Sequence, residues 1–319
     1  MDLSLTFLGT GGSVPSARRS TAAVLARRGG DRILFDCGEG TQRQMQRSTG
    51  LIEVKEIFFT HFHLDHVLGL PGLLKTWDLQ DRIAPLVISG PPGLRRLWDD
   101  LRPLVGRLGF EVSLRELDHG EDVDHGDYVV RPYTVSHRVK AFGYVIAEED
   151  RPGRFDPDRA TELGVEPGPD FGRLQHGEAV DVAGGETVQP DQVVGEDRPG
   201  RTVVLTGDTA PCDATLAASY GGQLLVHDAT FADEDRDRAQ MTGHSTARQA
   251  ARLAAEAEVE LLALVHISSR YHVGQVLDEA REEFEDAVAP RDFDLIEVPL
   301  PERGGPELVR KGALPDHAD

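Results

Sequence analysis

Thr60-His61-Phe62-His63-Leu64-Asp65-His66 places three histidines and a carboxylate within one short stretch of the chain. Residues 55–60 ahead of it form an apolar run that predicts a strand, and residues 67–77 behind it have the apolar spacing of a helix. In an extended segment, side chains at i and i+2 point the same way, so His61 and His63 can grip one ion together. Asp65 and His66, at the turn into the helix, are then aimed at a neighbouring position. Imidazole and carboxylate are suitable ligands for zinc. A lone histidine in a loop is usually surface decoration, but three with an aspartate at a strand end form a donor set.

Three later residues occupy the same kind of place. His137 ends a strand at 133–136, Asp208 follows the strand 203–206 and its Gly207, and His266 follows a strand at Leu261–Val265. The carboxyl ends of strands are where α/β folds put their sites. Taken singly, each reads as an ordinary loop residue. Beside the first motif, they read as the remaining ligands of a two-metal site.

Further strands are expected at 3–8, 21–27, 33–35, 86–89, 128–136, 144–147, 202–206, 224–226 and 294–298. Helices are expected at 39–47, 246–256 behind an N-capping Ser245, and 275–287. Early strands with few helices, then strands alternating with helices, suit a layered α/β protein with mixed sheets between helices. Residues 148 to about 200 differ. They hold much of the Pro and Gly, and 14 acids against 5 arginines give them a net charge of −9. Within them, 156–163 has helical spacing after an N-capping Asp156, and Phe155, Leu163, Val165 and Phe171 can pack on one another. An inserted arm with a small structured tip is expected, rather than a bare linker.

With Cys37 and Cys212 alone, there is neither a disulfide framework nor a Cys-rich zinc ribbon. No basic leader and no apolar run near the roughly 18–20 residues of a membrane span are present, so a soluble, cytoplasmic protein is expected. The charge balance is unusual: 55 Asp+Glu against 34 Lys+Arg, a formal net charge of −21. Its lysines are Lys55, Lys75, Lys140 and Lys311, the other bases being arginine. Such a surface suits concentrated salt, where the Debye length falls to about 3 Å at 1 M. A halophilic source is the expectation, with an Arg-biased genome as the plainer alternative.

The order HxHxDH, His, GD, His resembles the metal pattern of the metallo-β-lactamase superfamily. The resemblance implies an αββα sandwich over residues 1–319, with the arm at about 148–200 inserted in it. It further implies that His61, His63 and His137 hold one Zn2+, that Asp65, His66 and His266 hold a second, and that Asp208 bridges the two. Four strings narrow the choice within the superfamily: Leu8-Gly9-Thr10-Gly11-Gly12-Ser13-Val14-Pro15, Phe35-Asp36-Cys37-Gly38-Glu39-Gly40-Thr41-Gln42, His227-Asp228-Ala229-Thr230-Phe231 and Gly243-His244-Ser245-Thr246-Ala247. Each is similar to a segment of ribonuclease Z proteins, and together they span most of the chain. What this implies is a zinc-dependent endoribonuclease that hydrolyses precursor tRNA just 3′ of the discriminator base, leaving a 3′ hydroxyl. Such enzymes are usually homodimers in which one subunit's arm clamps the RNA that the other cuts.

On that resemblance Asp65 serves as general base. His244 donates a proton to the leaving oxygen or steadies the phosphorane, and His227, oriented by Asp228, supports it. Arg19, Arg270, Arg154 and Arg173 are candidate RNA contacts, and Arg151 and Arg159 could also meet phosphates. His119, His125, His176, His272 and His317 match no motif. The segment Pro15-Ser16-Ala17-Arg18-Arg19-Ser20 lacks a lysine and an asparagine common in the family's substrate loop, which bears on cleavage position. An arm rich in acids is likewise unusual for a nucleic-acid clamp. Because counterion release falls with salt, shape recognition, backbone N–H groups and arginine forks are expected to matter more than bulk attraction. A small-molecule phosphodiesterase, arylsulfatase or lactamase would use the same centre without needing an arm. A non-catalytic scaffold on this fold would be expected to lack ligands.

Overall fold

Strict alternation in the strands builds two buried faces on each sheet. In β1 (Leu3–Gly9), Leu5 and Phe7 face one apolar cluster and Leu8 another. The chain continues through β2 (Ala23–Arg28), β3 (Asp31–Phe35), β4 (Glu56–Phe58), β5 (Leu86–Gly90), β6 (Val112–Glu116), β7 (Val123–Asp124), β8 (Tyr128–Thr134) and β9 (Phe142–Glu148). After β10 (Val180–Asp181) and β11 (Thr187–Val188) come β12 (Thr202–Leu205), β13 (Leu224–Asp228), β14 (Leu261–Val265), β15 (Ala287–Val288), β16 (Leu295–Glu297) and β17 (Glu307–Val309). The structure is a computed structural model and describes residues 2–311. His317 therefore lies outside the described residues.

One sheet has eight strands in the order β17-β16-β1-β2-β3-β4-β5-β6, and a second has seven in the order β15-β14-β13-β12-β9-β8-β7. Between them lies a core of Leu5, Phe7, Phe35, Phe58, Tyr144, Ile146, Val203, Leu205, Val226 and Ile296. The opposite side chains, Leu34, Ile57 and Ile88 among them, bury against Leu73, Leu74 and Trp77 of helix Leu70–Leu79 and Leu101 of helix Leu94–Val105. On the second sheet Val204, Leu225, Leu262 and Leu264 meet Ala250, Ala251 and Ala254 of helix Ala247–Glu256, and Val276 and Ala280 of helix Val273–Arg281. The alanine stripe lets that helix lie close on the sheet. Helix, sheet, sheet, helix is the αββα sandwich expected. Each fully buried Leu, Ile or Phe in it contributes about 1.5–3 kcal/mol. Among the described residues, no helix is long and apolar enough to cross a membrane.

Residues 148–201 form a second compact unit, while residues up to Ala147 and from Thr202 onward form the first. The second unit has its own core of Ala160, Val165, Leu174, Val180, Val188 and Val193, with Phe155 and Phe171 in ring contact at 4.9 Å. Asp156 caps helix Pro157–Glu162 by accepting from Arg159 N at 2.9 Å. A buried Arg201–Glu148 pair at 2.6 Å ties the two ends of the unit together.

Several elements depart from expectation. The helix expected at 67–77 is two, Leu64–Val67 and Leu70–Leu79, so Asp65 and His66 lie inside a helical turn rather than before one. The break is at Gly69, whose N donates to Cys37 O and whose Cβ, if present, would sit 2.0 Å from Gly38 O. The helix expected at 275–287 ends at Arg281, because Ala287–Val288 is claimed as edge strand by β14. Helix Leu94–Val105 and β6 lie in a Pro- and Gly-punctuated stretch between the strands expected at 86–89 and 128–136, where no individual element is named from the sequence. The N-cap is Thr246, not Ser245: Thr246 accepts from Gln249 N while Gln249 bonds back, and Ser245 Oγ instead donates to Thr209 O at 2.7 Å. Thr246→Ala is expected to cost about 1 kcal/mol in urea unfolding, with little change in m-value.

Candidate metal centre

The strand ends converge. His61, His63 and His66 follow β4, His137 lies just beyond β8, Asp208 beyond β12, Asp228 ends β13 and His266 follows β14. Potential ligand atoms of His61, His63, His137 and Asp208 all lie within 4.8 Å of one another, as do those of Asp65, His66 and His266. A third such group, Asp208, Asp228, His244 and His266, adjoins them. In the first, His61 Nε2 is 2.9 Å from His63 Nδ1, which is 3.3 Å from His137 Nε2. In the second, His266 Nε2 and His66 Nε2 lie 3.1 and 3.7 Å from Asp65 Oδ2. Asp208 faces both groups. Its Oδ2 is 3.6 Å from His61 Nε2, while its Oδ1 is 3.3 Å from both His66 Nε2 and His266 Nε2.

The outward ring nitrogens fix where the lone pairs point. His66 Nδ1 donates to Asp36 Oδ2 at 2.8 Å, and His137 Nδ1 to Gly243 O at 2.7 Å. Thr60 Oγ1 gives its own proton to Asp36 and so accepts from His61 Nδ1 at 3.0 Å. Thr230 Oγ1 donates to Asp228 Oδ1 at 2.6 Å and accepts from His266 Nδ1 at 2.8 Å. Four imidazoles are thereby held with their Nε2 atoms turned inward, those of His61, His66 and His266 toward the carboxylates of Asp65 and Asp208. Buried ring nitrogens then face buried carboxylate oxygens. His66 Nε2 and Asp208 Oδ1 are buried, 3.3 Å apart, and neither has a well-formed hydrogen bond among the described residues.

Only positive charge satisfies such an arrangement. Burial alone would lower the pKa of His66, but the carboxylates of Asp208 and Asp36 raise it well above the ordinary value. Burial would raise Asp208, yet His266 and His66 hold it well below the carboxylate range. A buried anion without a partner costs several kcal/mol. Imidazole nitrogens and carboxylate oxygens converging in this way fit divalent cations, and these residues are the ones that would hold them.

Asp36, Thr60 and Thr230 were not singled out from sequence as orienting groups. Asp36, at the end of β3 in the same position relative to its strand as the ligands, was the available signal. Asp228 orients His244 rather than His227: its Oδ2 accepts from His244 Nδ1 at 2.7 Å. His227 is fully buried on the other face of β13. Its Nδ1 meets the main-chain oxygen of Asp228 at 2.8 Å, and its Nε2 has no hydrogen-bond partner among the described residues. It does not belong to the ligand cluster, and the expected support of His244 by His227 has no contact behind it. Arg19 Nη1 is occupied by Thr10 Oγ1 at 2.6 Å and Pro290 O at 2.9 Å, so its first task is to hold its own loop. Arg270 is exposed in the loop after His266. Arg154 and Arg173 belong to the unit 148–201, where Arg154 is exposed and Arg173 is paired with Asp170 and Glu178 at 3.1 and 3.2 Å.

Two glycines of the motifs are there for close approach. A Cβ on Gly12 would lie 2.6 Å from His266 Nδ1. Gly207 has φ +60, and its Cβ would lie 2.7 Å from Thr60 Cβ, the residue that orients His61. Gly207→Ala is expected to cost about 2–4 kcal/mol by denaturant unfolding and to weaken divalent-metal binding by calorimetry.

A family profile described as the metallo-β-lactamase superfamily matches residues 17–266. Ribonuclease Z of Halorubrum lacusprofundi is 50% identical over 310 residues, covering 95% of this chain and 99% of that one. Ribonuclease Z of Haloferax volcanii is 48% identical, covering 96% of this chain and 98% of that one. Among solved structures, the short form of human tRNase Z superposes with a TM-score of 0.68 at 28% identity, covering 93% of this chain and 99% of that one. The chain belongs to the metallo-β-lactamase superfamily and, within it, to the ribonuclease Z family of metal-dependent endoribonucleases.

Proposed function

We propose that this chain is a zinc-dependent endoribonuclease that cuts precursor tRNA just 3′ of the discriminator base and leaves a 3′ hydroxyl on the tRNA. The observation that carries this reading is the sharing of Asp208 between two ligand groups, with an Asp228-bound His244 stacked on His266 at 5.3 Å. Membership of the ribonuclease Z family supports RNA over a small phosphodiester as the substrate. His61, His63 and His137 would hold one Zn2+, Asp65, His66 and His266 the other, and Asp208 both. When bound, a pair of such ions lowers the pKa of water toward about 7 and neutralises charge on a phosphoryl group.

The protein's own groups then handle protons. Burial would raise the pKa of Asp65, but its hydrogen bond with His266 and the nearby His66 hold it well below the carboxylate range, so it is an ionised acceptor. Ser13 N donates to its Oδ2 at 2.9 Å and steadies it. It takes the proton of the attacking water as the new P–O bond forms. Burial lowers the pKa of His244, and the Asp228 carboxylate more than reverses this, raising it to about 9. With Nδ1 tied to Asp228, Nε2 carries the proton that goes to O3′ of the discriminator nucleotide as the P–O3′ bond breaks. The phosphate leaves with the 3′ trailer.

The compact unit 148–201, with its own core, is proposed to grip tRNA, the exposed Arg154 being its candidate contact, with the enzyme working as a cytoplasmic homodimer. The acid excess, and relatives such as that of Haloferax volcanii, support a salt-adapted enzyme.

A 3′-extended precursor tRNA is expected to be cut once, beside the discriminator, and chelator should abolish the reaction. Two zinc equivalents per chain are expected by elemental analysis. Asp65→Ala and His244→Ala should each lower kcat about 10²–10⁴-fold. A KCl series tests salt adaptation separately. A two-metal protein that leaves every precursor intact would turn the assignment to a small phosphodiester. Asp228→Asn removes the charge that raises His244, so the alkaline limb of the kcat–pH profile should move toward acid by about 1–2 units. An unmoved limb would exclude His244 as the proton donor.

A further inference from the structure

In a chain where acids outnumber bases 55 to 34, one groove of 1530 Å³ reverses the balance. Arg18 and Arg19 come to it from the loop after β1. Arg43 and Arg47 come from helix Thr41–Gln46 and its C-cap, and Arg291 from the turn before β16. Arg310 and Lys311 follow β17. Among the described residues, Asp292 and Asp294 are the acids of the lining, and both are spent on the protein itself. Asp292 accepts from Thr10 N and Oγ1 at 3.1 and 2.7 Å, from Ser20 N at 2.7 Å and from Gln44 Nε2 at 2.9 Å. Asp294 accepts from Arg291 N at 2.8 Å and Lys311 N at 3.2 Å, and pairs with Arg310. Arg18, Arg43, Arg47 and Arg291 have no carboxylate partner among the described residues.

Like charges gathered without counterions are costly, and a polyanion relieves that cost. The groove also carries rings. Tyr271, His272 and Phe293 line it, and the Arg47 guanidinium sits 5.1 Å over the Phe293 ring. Guanidinium groups and rings in one groove suit a single strand, whose phosphates and base faces are both open. A duplex stem offers mainly phosphates and 2′-hydroxyls. The position fits as well. Ile267, Ser268 and Ser269 of the lining run directly on from His266, and Ile267 bridges to Gly11 of the loop that also reaches Asp65 through Ser13 N.

We propose that this groove binds the single-stranded 3′ trailer of the precursor, which keeps the cut phosphate. The strand's identity rests on the ribonuclease reading, whereas the groove's affinity for single-stranded RNA does not. Trailer phosphates lie against Arg18, Arg43 and Arg291, and a trailer base stacks at Tyr271 and the exposed His272 ring. The net charge of the protein repels RNA over most of the surface, so attachment of the single-stranded trailer is confined to this track.

The test uses the full chain and a fluorescein-labelled, 5′-phosphorylated oligouridylate of about eight nucleotides, followed by anisotropy in chelator so that no cutting occurs. Saturable binding is expected, with log K falling against log [KCl] at a slope of about −3, roughly −0.7 per phosphate contact. Arg18→Gln/Arg43→Gln/Arg291→Gln should weaken binding at least about tenfold and flatten the slope by about 2. These three side chains are exposed, so folding is not at stake. Arg96→Gln/Arg102→Gln/Arg107→Gln makes the same change in charge at exposed sites outside the lining and should bind like wild type. In a cleavage assay, wild type should show a lower KM for a trailer of about ten nucleotides than for one of about two, and the groove variant should lose that difference. Equal weakening by both triple variants, or cleavage without oligonucleotide binding, overturns the groove assignment. Oligonucleotide binding without cleavage of any precursor overturns the ribonuclease reading instead.

Discussion

The carboxylate of Asp208 is the point on which the site turns. One of its oxygens faces His61, and the other faces His66 and His266, so a single side chain joins the two ligand groups. It is buried, ionised and surrounded by imidazoles whose inner ring nitrogens face it. Such a group is stable only with cations beside it. Its position depends on Gly207, the residue in left-handed backbone that lets the chain turn off β12 against Thr60. Thr60 in turn holds His61 and Asp36, and Asp36 holds His66. The outward hydrogen bonds that orient the histidines thus also brace the strand ends against one another.

Two kinds of electrostatics coexist in the molecule. Net charge sets the distant field, and that field repels polyanions and is screened within about 3 Å at 1 M salt. Contact geometry sets the local field, and it works against the net charge twice. At the metal centre, acceptors are concentrated until only divalent cations satisfy them. In the groove beside it, arginines are concentrated after both local carboxylates have been consumed by backbone amides and neighbouring side chains. Asp292 shows how this is done. It carries a formal negative charge, yet its oxygens are taken by Thr10, Ser20 and Gln44, so it stabilises the loop and leaves the nearby guanidinium groups unpaired.

Much of the centre was legible because donor chemistry and strand periodicity are both local. HxHxDH shows its own geometry through period 2, and apolar runs ending in His or Asp announce ligands at strand ends. The tip of the unit 148–201 was legible for the same reason: an Asp N-cap and helical spacing are short-range signals. Partnership over long sequence separation was not legible. That Asp228 serves His244 and not the adjacent His227 follows from alternation at the end of β13, where neighbours in sequence face opposite ways. Competition was not legible either. Ala287–Val288 reads as helix until β14 offers it a ladder, and Ser245 reads as an N-cap until Thr209 offers it a carbonyl.

By itself, then, the sequence determined the donor set, the layered α/β architecture and the acid excess, because residue type and short-range periodicity carry them. Tertiary structure alone decided which histidine the Asp228 carboxylate orients, which way each imidazole turns, and which seven basic residues come together in one groove. Those outcomes join residues up to 282 apart in the chain, such as Thr10 and Asp292. Such pairs meet only after both sheets and their helices have packed, and no local pattern encodes a contact that packing creates.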